Sequence, residues 1–594
     1  MPGLKDKHII RIWNGLFFVA LLVFWRFFYV NHLVQKEQMQ LFLLTFDYLK
    51  QHLAFQGGLA IYLGEFITQF FLNKWLAAVL VSSVLLLLSL GVQKVLTYVS
   101  DKCIFLLSWI PAIAYHFMLF NPYYKLAGLV ALTFSVGSVI LFLQIKNAKQ
   151  RTALGFVLLP INYWFLGGAV FLFTLSAIFI ELQIKYSQKK DHEAVHSYFT
   201  IIAYLAILLI IPYLNRQFLL TDHLLSAYFS RVFYQFSFLL PAPVILILVS
   251  LPALLFFYGW LPKKRSNILH GSIGVLLFTT LILGSKLFPD FAEENEMGYD
   301  NLVRLEKWEE IIRQAEQEIP DRKQGKEALS LALSRTGQMS TLLFHFNPGP
   351  NDFFIPFNIQ GQAPMIASEP YFYLGLINFS KMLCVETTES TPDETRPVRM
   401  MQRLAEDYLI TGEYEVAGRY LWYLERTLFY RQWAKESRKY LFDDQKVEAH
   451  PLWGKLRKQQ VHDDFYYQYE RNDAALISLL RSDPHNKIAY EYLMSWYLLR
   501  KDFDSFLKYL PLVNTMDYNG FPVVFQEAVA YVKTLFGVVP EGLDQYPISA
   551  EVQQRFNRYA QAFQQGGSSQ PAEMKKLFGN TYWYYVHFTN FEND

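Results

Sequence analysis

Eight long apolar runs crowd the first half of this chain, at residues 12–30, 75–93, 104–120, 124–145, 155–180, 198–213, 236–260 and 267–285. A bilayer core is crossed by about 20 predominantly apolar residues in a helix. Because backbone groups in hydrocarbon must pair within their own segment or in a closed barrel, uninterrupted runs of this length read as helices. The hydrophobic share of 53% and aromatic share of 17% point the same way.

Charge divides the chain in two. Residues 1–285 hold 21 Lys/Arg against 9 Asp/Glu, a net of +12, and residues 286–594 hold 33 against 43, a net of −10. Scarce acids with clustered bases fit a membrane region. An acidic second half argues against nucleic acid as a partner. Two cysteines, Cys103 and Cys384, make neither a disulfide framework nor a zinc motif. Lys5, Lys7 and Arg11 precede the first run, but Phe27-Phe28-Tyr29-Val30-Asn31-His32 offers no small-residue cleavage site, so the run is expected to stay as an uncleaved span.

Those N-terminal bases and the cluster Lys146, Lys149, Arg151 agree with a cytoplasmic N-terminus. Between that cluster and Lys263-Lys264-Arg265 only three runs intervene, which would put the two clusters on opposite sides. Either 155–180, broken by Pro160 and Gly167-Gly168, is a hairpin, or the amphipathic stretch 217–235 also crosses.

From about Phe288 the pattern is helical. Leu404, Ala405, Tyr408, Gly412, Tyr414, Ala417, Leu421 and Leu424 have the spacing of a tetratricopeptide repeat, with a weaker copy from Tyr490 through Leu493, Tyr497, Phe503 and Phe506 to Leu510, and a half-copy around Trp308 and Ala315. The breaker-rich stretch from Asn347 to Pro364 is a loop whose Phe353, Phe354, Ile355 and Phe357 should be packed, while Glu386–Glu394 and 564–570 read as exposed linkers. The expected fold class is all-α. A polytopic transmembrane domain of about 7–9 spans covers 1–287, and a soluble α/α tetratricopeptide-like domain covers 288–594. With Lys263-Lys264-Arg265 inside, the last span exits outward, so the repeat domain is expected on the periplasmic side of the inner membrane.

The external loop 31–74 carries two amphipathic stretches joined at Gly57-Gly58. Glu37, Gln40, Asp47 and Gln51 fall on one stripe of the first, and Glu65, Thr68 and Gln69 share a face of the second. Through Gly57-Gly58-Leu59, Gln69-Phe70-Phe71, Tyr373-Leu374-Gly375-Leu376-Ile377-Asn378 and Thr581-Tyr582-Trp583 the chain resembles an uncharacterised family of Gram-negative bacterial membrane proteins with helical-repeat C-terminal regions. The loop arrangement also resembles the C-type polyprenyl-phosphate-sugar glycosyltransferases. That resemblance implies a catalytic acid on the first external loop, often near a divalent metal, a lipid-linked sugar as donor, and Asp47, Glu65 and Glu37 as the matching positions, with Arg26 and Gln69 as substrate-binding candidates. The second external loop, Asn121-Pro122-Tyr123-Tyr124-Lys125, departs from it in lacking an acidic pair.

Other readings stand beside this one. His192-Glu193-Ala194-Val195-His196 matches the zinc-protease pattern, with His192 and His196 as metal ligands and Glu193 as base, yet chance supplies such a match on the order of once per hundred chains of this composition. A membrane-anchored scaffold for envelope proteins is the chief non-enzymatic reading. A transporter would use His116, Arg26, Asp222, His223 or Arg231 as intramembrane polar groups.

Overall fold

The computed structural model describes residues 4–99, 105–188, 191–218, 227–228, 230–235, 242–258, 267–354, 365–391, 395–461, 471–535 and 542–589. Every regular element among them is helical, and their one β-type pairing is an isolated antiparallel bridge between Tyr124 and Tyr234. The chain forms two compact units: Met1–Glu294 with Thr391–Val398 and Arg426–Arg431, and Asn295–Ser390 with Arg399–Glu425 and Gln432–Asp594.

Five helical runs of the first unit are long and apolar enough to cross a membrane: His8–Phe27, Lys74–Val99, Leu126–Gln144, Ala148–Gln183 and Tyr198–Phe218. Shorter apolar helices are Gly58–Leu72, Phe105–Met118 and Ala242–Phe257, and Gly271–Leu287 meets Phe291–Arg304 at a bend of 62°. In chain order, α1 is Leu4–Phe27, α2 Val30–Gln38, α3 Phe46–Leu53, α4 Gly58–Thr68, α5 Lys74–Val99, α6 Trp109–Met118, α7 Leu126–Gln144, α8 Ala148–Leu166, α9 Val170–Gln188 and α10 Asp191–Phe218.

The apolar run Ala148–Gln183 is two helices folded back on each other. Extended as one helix it would hold Arg151 and Glu181 about 45 Å apart, at 1.5 Å of rise per residue. Instead they form a buried, bidentate ion pair, Nε to Oε1 at 2.7 Å and Nη2 to Oε2 at 3.0 Å. The reversal falls at Gly167, whose φ of 59° and ψ of −132° suit a residue without Cβ. Of the two alternatives left by the charge pattern, the hairpin is therefore the one the structure contains; much of 217–235 lies outside the described residues.

Hydrogen bonds then sort the connections into two ends. At one end Glu294 meets the backbone of Asn31 and His32, Lys36 meets the 121–124 loop, and Lys125 N–H donates to Phe233. Gly57 N–H donates to Trp164 O at the same end, and Asn215 bonds Gln56 and Tyr163. At the other end lie the Arg151–Glu181 pair and the bond from Gln183 to Leu255 O. Helices α8 and α10 run parallel, since Tyr204 pairs with Thr152 and Asn215 with Tyr163 at one constant offset.

The loop of α2 to α4 departs from expectation. Its first stretch is two helices separated by non-helical residues from Gln40 to Thr45, so Glu37 and Asp47 do not share one helical stripe. Gly57 occupies the left-handed region at φ 78°, and a Cβ on Gly58 would lie 1.6 Å from the His52 carbonyl oxygen. The two glycines thus let α4 start directly against the end of α3.

The second unit is built from helix ends closed by one repeated turn. The amides of Lys307, Gln338, Leu376, Glu413 and Asp502 donate back to the carbonyls of Leu302, Leu333, Tyr371, Tyr408 and Tyr497 at 2.7–3.0 Å, and the residue before each donor (Glu306, Gly337, Gly375, Gly412, Lys501) has positive φ. This six-to-one bond satisfies carbonyls left open at a helix C-terminus and reverses the chain. Two of these hairpins share a ring register as well: Tyr408 stacks on Tyr420 (5.7 Å, 13°) and Tyr497 on Tyr509 (5.9 Å, 14°). Ala405 and Ala417 are fully buried, as helix approach requires. Phe353 and Phe354 are packed in the core, whereas Ile355 and Phe357 lie outside the described residues. Of the stretch Glu386–Glu394, residues up to Ser390 are not a linker but the end of helix Ile377–Ser390, and residues 392–394 lie outside the described residues.

Candidate functional site

A cleft with about 530 Å³ of space, part of it open to solvent, lies in the first unit. Its polar lining comes from Lys36, Gln40, Glu65, Thr68, Lys125, Gln235 and Thr395. Four segments distant in sequence build it: the α2–α4 loop, the entry to α7, the 230–235 segment, and a return of the chain at Thr395.

Each wall has a local cause. Glu294 caps α2, accepting from Asn31 N–H at 2.6 Å and His32 N–H at 2.9 Å, so a carboxyl sits at the positive end of that helix. Burial pushes the Glu294 carboxyl up to about 8, against the pull of those amides and of Lys74. On the next turn of α2, Lys36 donates to the carbonyls of Pro122 (2.8 Å), Tyr124 (2.7 Å) and Asn121 (3.4 Å), staking the 121–125 loop to the 31–74 loop. Burial lowers the Lys36 ammonium to about 7, with Glu293 opposing. Helix α4 can lie on α7 because Gly64 has no Cβ; one there would sit 2.6 Å from the backbone of Ala127.

Glu65 is the carboxylate of the cleft. Its Oε2 accepts from the Tyr48 hydroxyl at 2.6 Å and lies 3.1 Å from His52 Nε2, while Gln40 donates to the Glu65 carbonyl at 2.8 Å. His52 Nδ1 lies 2.9 Å from the Tyr48 carbonyl. Burial alone would lower the His52 imidazole, but the hydrogen bond and charge of Glu65 raise it above its ordinary value. The Tyr48 hydroxyl is raised by burial and by Glu65, which keeps it a donor.

The structure separates the other predicted residues from this cleft. Asp47 is exposed in the first turn of α3 and Glu37 is buried, its carboxylate accepting from the Tyr430 hydroxyl with both oxygens at 3.2 Å. Neither lines the cleft. Arg26 lies over the Trp75 ring at 4.6 Å, and the buried Gln69 amide donates to Phe66 O. His116, also buried, bonds Ser285 at 2.9 Å among Phe24, Trp25 and Phe120. Arg231 lies in a short 3-10 turn, and Asp222 and His223 fall outside the described residues.

The backbone from Asp191 is helical, but the side chains of His192, Glu193 and His196 lie outside the described residues. Among the described residues no group of three or more His, Cys, Asp or Glu converges as metal ligands do.

Lys36, His52, Lys125, Gln235 and Thr395 were not singled out by sequence reasoning. Lys36 and His52 stand on the long 31–74 loop, where a polar residue on an apolar stripe is the local signal of a buried partner. Nothing local in the sequence marks Thr395, which reaches the cleft from the second half of the chain.

No curated protein and no solved structure matches this chain. A family model spans residues 7–589, nearly the whole length. The chain belongs to that family, DUF6057, a family of unknown function.

Proposed function

We propose that this protein is a multi-pass membrane enzyme of the glycosyltransferase type, which moves a sugar from a lipid-phosphate carrier to an acceptor at the external face of the bilayer. The observation that carries the reading is the convergence of Glu65, Lys36 and Lys125 on one cleft formed by the external-loop segments. A lipid-linked phosphate lies at headgroup level, where surface helices such as α3 and α4 meet it. Glu65 takes the proton of the attacking hydroxyl, Lys125 offsets the charge of the departing phosphate, and Lys36, held by three carbonyls, fixes the loop that carries Lys125. Asp47, exposed and outside the cleft, is given no part in the chemistry.

The sidedness we propose counts nine crossings, adding shorter helices to the long ones: α1, α5, the short α6, α7, α8, α9, α10, Ala242–Tyr258 and Asn267–Leu287. This count puts the N-terminus, the 146–151 bases and Lys263-Lys264-Arg265 together on the cytoplasmic side, as the distribution of basic residues requires. It also gathers the loops that share hydrogen bonds with Lys36, Gln56 and Glu294 on the external side. The helical unit then starts outside. Two tests apply. A membrane-impermeant maleimide should label a cysteine placed at the exposed Asp47 and spare one at Lys146; the reverse overturns the sidedness. Glu65→Gln should abolish transfer from synthetic polyprenyl-phosphate hexoses by the full chain in phospholipid vesicles and alter the envelope glycans of cells that carry it; unchanged transfer and glycans overturn the enzyme reading.

A second reading rests on the five matching turns of the second unit. Stacked helical hairpins of the tetratricopeptide kind present surfaces that hold segments of other proteins, so the unit would collect envelope proteins around the membrane site. Cross-linking of the intact protein in cells should then trap the same partners in wild type and in Glu65→Gln; no partner in either would remove this reading alone.

A further inference from the structure

The contacts of His52 leave little freedom in where its protons sit. Its Nδ1 faces the Tyr48 carbonyl, a group that only accepts, so Nδ1 carries a hydrogen. Its Nε2 faces Glu65 Oε2 at 3.1 Å, and a hydrogen must lie between an imidazole nitrogen and a carboxylate oxygen for that contact to be favourable. Imidazole and carboxyl together therefore hold one shared proton. Tyr48 donates to the same Oε2, while Glu65 Oε1 takes part in none of these bonds. The charged and titratable groups facing the pair are Tyr48 from α3, Tyr62 from α4, with its ring 5.8 Å from that of His52, and Lys125 from the entry to α7; Lys36 lines the same cleft.

We propose that His52 is a positioning residue that sets the charge of Glu65, so that the cleft accepts a proton only when the His52–Glu65 pair has given up its shared one. This rests on the transferase reading above.

With the proton in place, the imidazolium neutralises the carboxylate. Once it is lost, the Glu65 charge is uncompensated and Oε2 faces a lone pair. The acceptor hydroxyl then forms its bond to the sugar carbon, the bond from that carbon to the phosphate oxygen breaks with its electron pair leaving on the phosphate, and the hydroxyl proton passes to Glu65. It settles on His52 Nε2 as the shared proton, and its release to solvent resets the pair. Because Glu65 raises His52, the active arm lies above the ordinary histidine value of 6.5.

The full chain in phosphatidylethanolamine–phosphatidylglycerol vesicles, given a panel of synthetic polyprenyl-phosphate hexoses, should release polyprenyl phosphate at a rate that climbs about tenfold per pH unit below the midpoint. His52→Gln keeps a donor near Glu65 but cannot ionise, and should flatten that limb. Nitrogen-15 spectra of histidine-labelled protein supply a readout independent of turnover: the His52 signal, assigned by its loss in His52→Gln, should titrate at lower pH in Glu65→Gln. A limb that persists in His52→Gln, or a His52 titration unmoved by Glu65→Gln, overturns the inference and leaves the transferase reading standing. Full activity of Glu65→Gln overturns that reading, whatever His52 does.

Discussion

The two units bury polar groups by opposite means. In the first unit the helices turn large apolar side chains outward, with Phe199, Leu246, Phe257, Val275 and Leu276 at least 60% exposed, and keep small polar groups such as Ser82, Ser89, Ser135 and Asn162 inside. Its fully described buried ion pair, Arg151–Glu181, is closed on itself. The second unit has an apolar interior that nonetheless contains a crowded charge network. Arg399 bonds both oxygens of Asp300 (2.7 Å each) and Glu369 (3.0 Å), and Arg403 bonds Glu369 (2.6 Å) and Glu406 (2.7 Å). Asp407 lies in the same region, bonded to Ser380 at 2.8 Å. A lone pair constrains two helices, whereas a network ties several together and makes each member depend on the rest.

The comparison breaks most easily at Arg399. Replacing it with leucine leaves Asp300 and Glu369 without their shared cation in a buried site, which costs about 3–5 kcal/mol. Hydrogen exchange of the intact protein should lose protection across helices Phe291–Arg304, Glu369–Leu374 and Val398–Thr411, with little change in helices α1 to α10 of the first unit. Arg151→Leu should have an effect of similar kind in α8 and α9, but the double change Arg151→Leu with Glu181→Leu should recover most of it, because a self-contained pair can be replaced by apolar side chains. No comparable pair of changes should rescue Arg399→Leu. Rescue there would make the two units alike.

Acidity sharpens the contrast with a smaller effect. Burial raises the carboxyls of Glu491 and Glu527 to about 7 from 4.5, and they are 1% and 4% exposed. A folded value above the unfolded one means the native state binds more protons between these limits, so the stability is fully present below 4.5 and is lost as pH rises through about 7. Each contributes on the order of 3 kcal/mol across that window, at about 1.4 kcal/mol per pH unit. Protection in the second unit should therefore be greater at pH 5 than at pH 8, and Glu491→Gln with Glu527→Gln should reduce the difference, the raised carboxyls of Glu406 and Asp407 keeping the rest. A second unit more stable at pH 8 than at pH 5 would contradict this account of its buried acids.

The helices of the first unit were legible because run length is a local signal, and five of them are long and apolar enough to cross a membrane. Gly167-Gly168 even offered the hairpin as an alternative, which the Arg151–Glu181 pair then selects. The site was less legible, because its walls are tertiary. No proline or glycine interrupts 39–45, so an amphipathic reading carries one helix through it; the chain is instead non-helical from Gln40 to Thr45, with Leu44 N–H donating to Arg426 O at 2.8 Å. Tyr430 likewise turns Glu37 from a wet-face residue into a buried one. Neither partner can be found from the loop alone. The Thr-rich stretch after Glu386 misled for another reason. Thr387 and Thr388 bond back to the carbonyls of Leu383 and Cys384, so their hydroxyls are satisfied within a helix rather than by a loop.

The smallest expected effect is at Asp47, and it separates a carboxylate placed by pattern from one placed by packing. Asp47 lies in the first turn of α3, where Thr45 accepts from Tyr48 N–H, and its contribution is its charge near that helix N-terminus. Such a charge contributes about 0.3–1 kcal/mol when exposed. Asp47→Asn should thus leave hydrogen exchange of α3 nearly unchanged and leave the envelope glycans as in wild type. Glu65→Gln, changing a carboxylate to an amide just as conservatively, should remove function, because Tyr48 and His52 converge on that group. If Asp47→Asn instead abolished transfer while Glu65→Gln did not, the acid would belong on the solvent face of α3, and the cleft between α2, α4 and α7 would be a feature of packing alone.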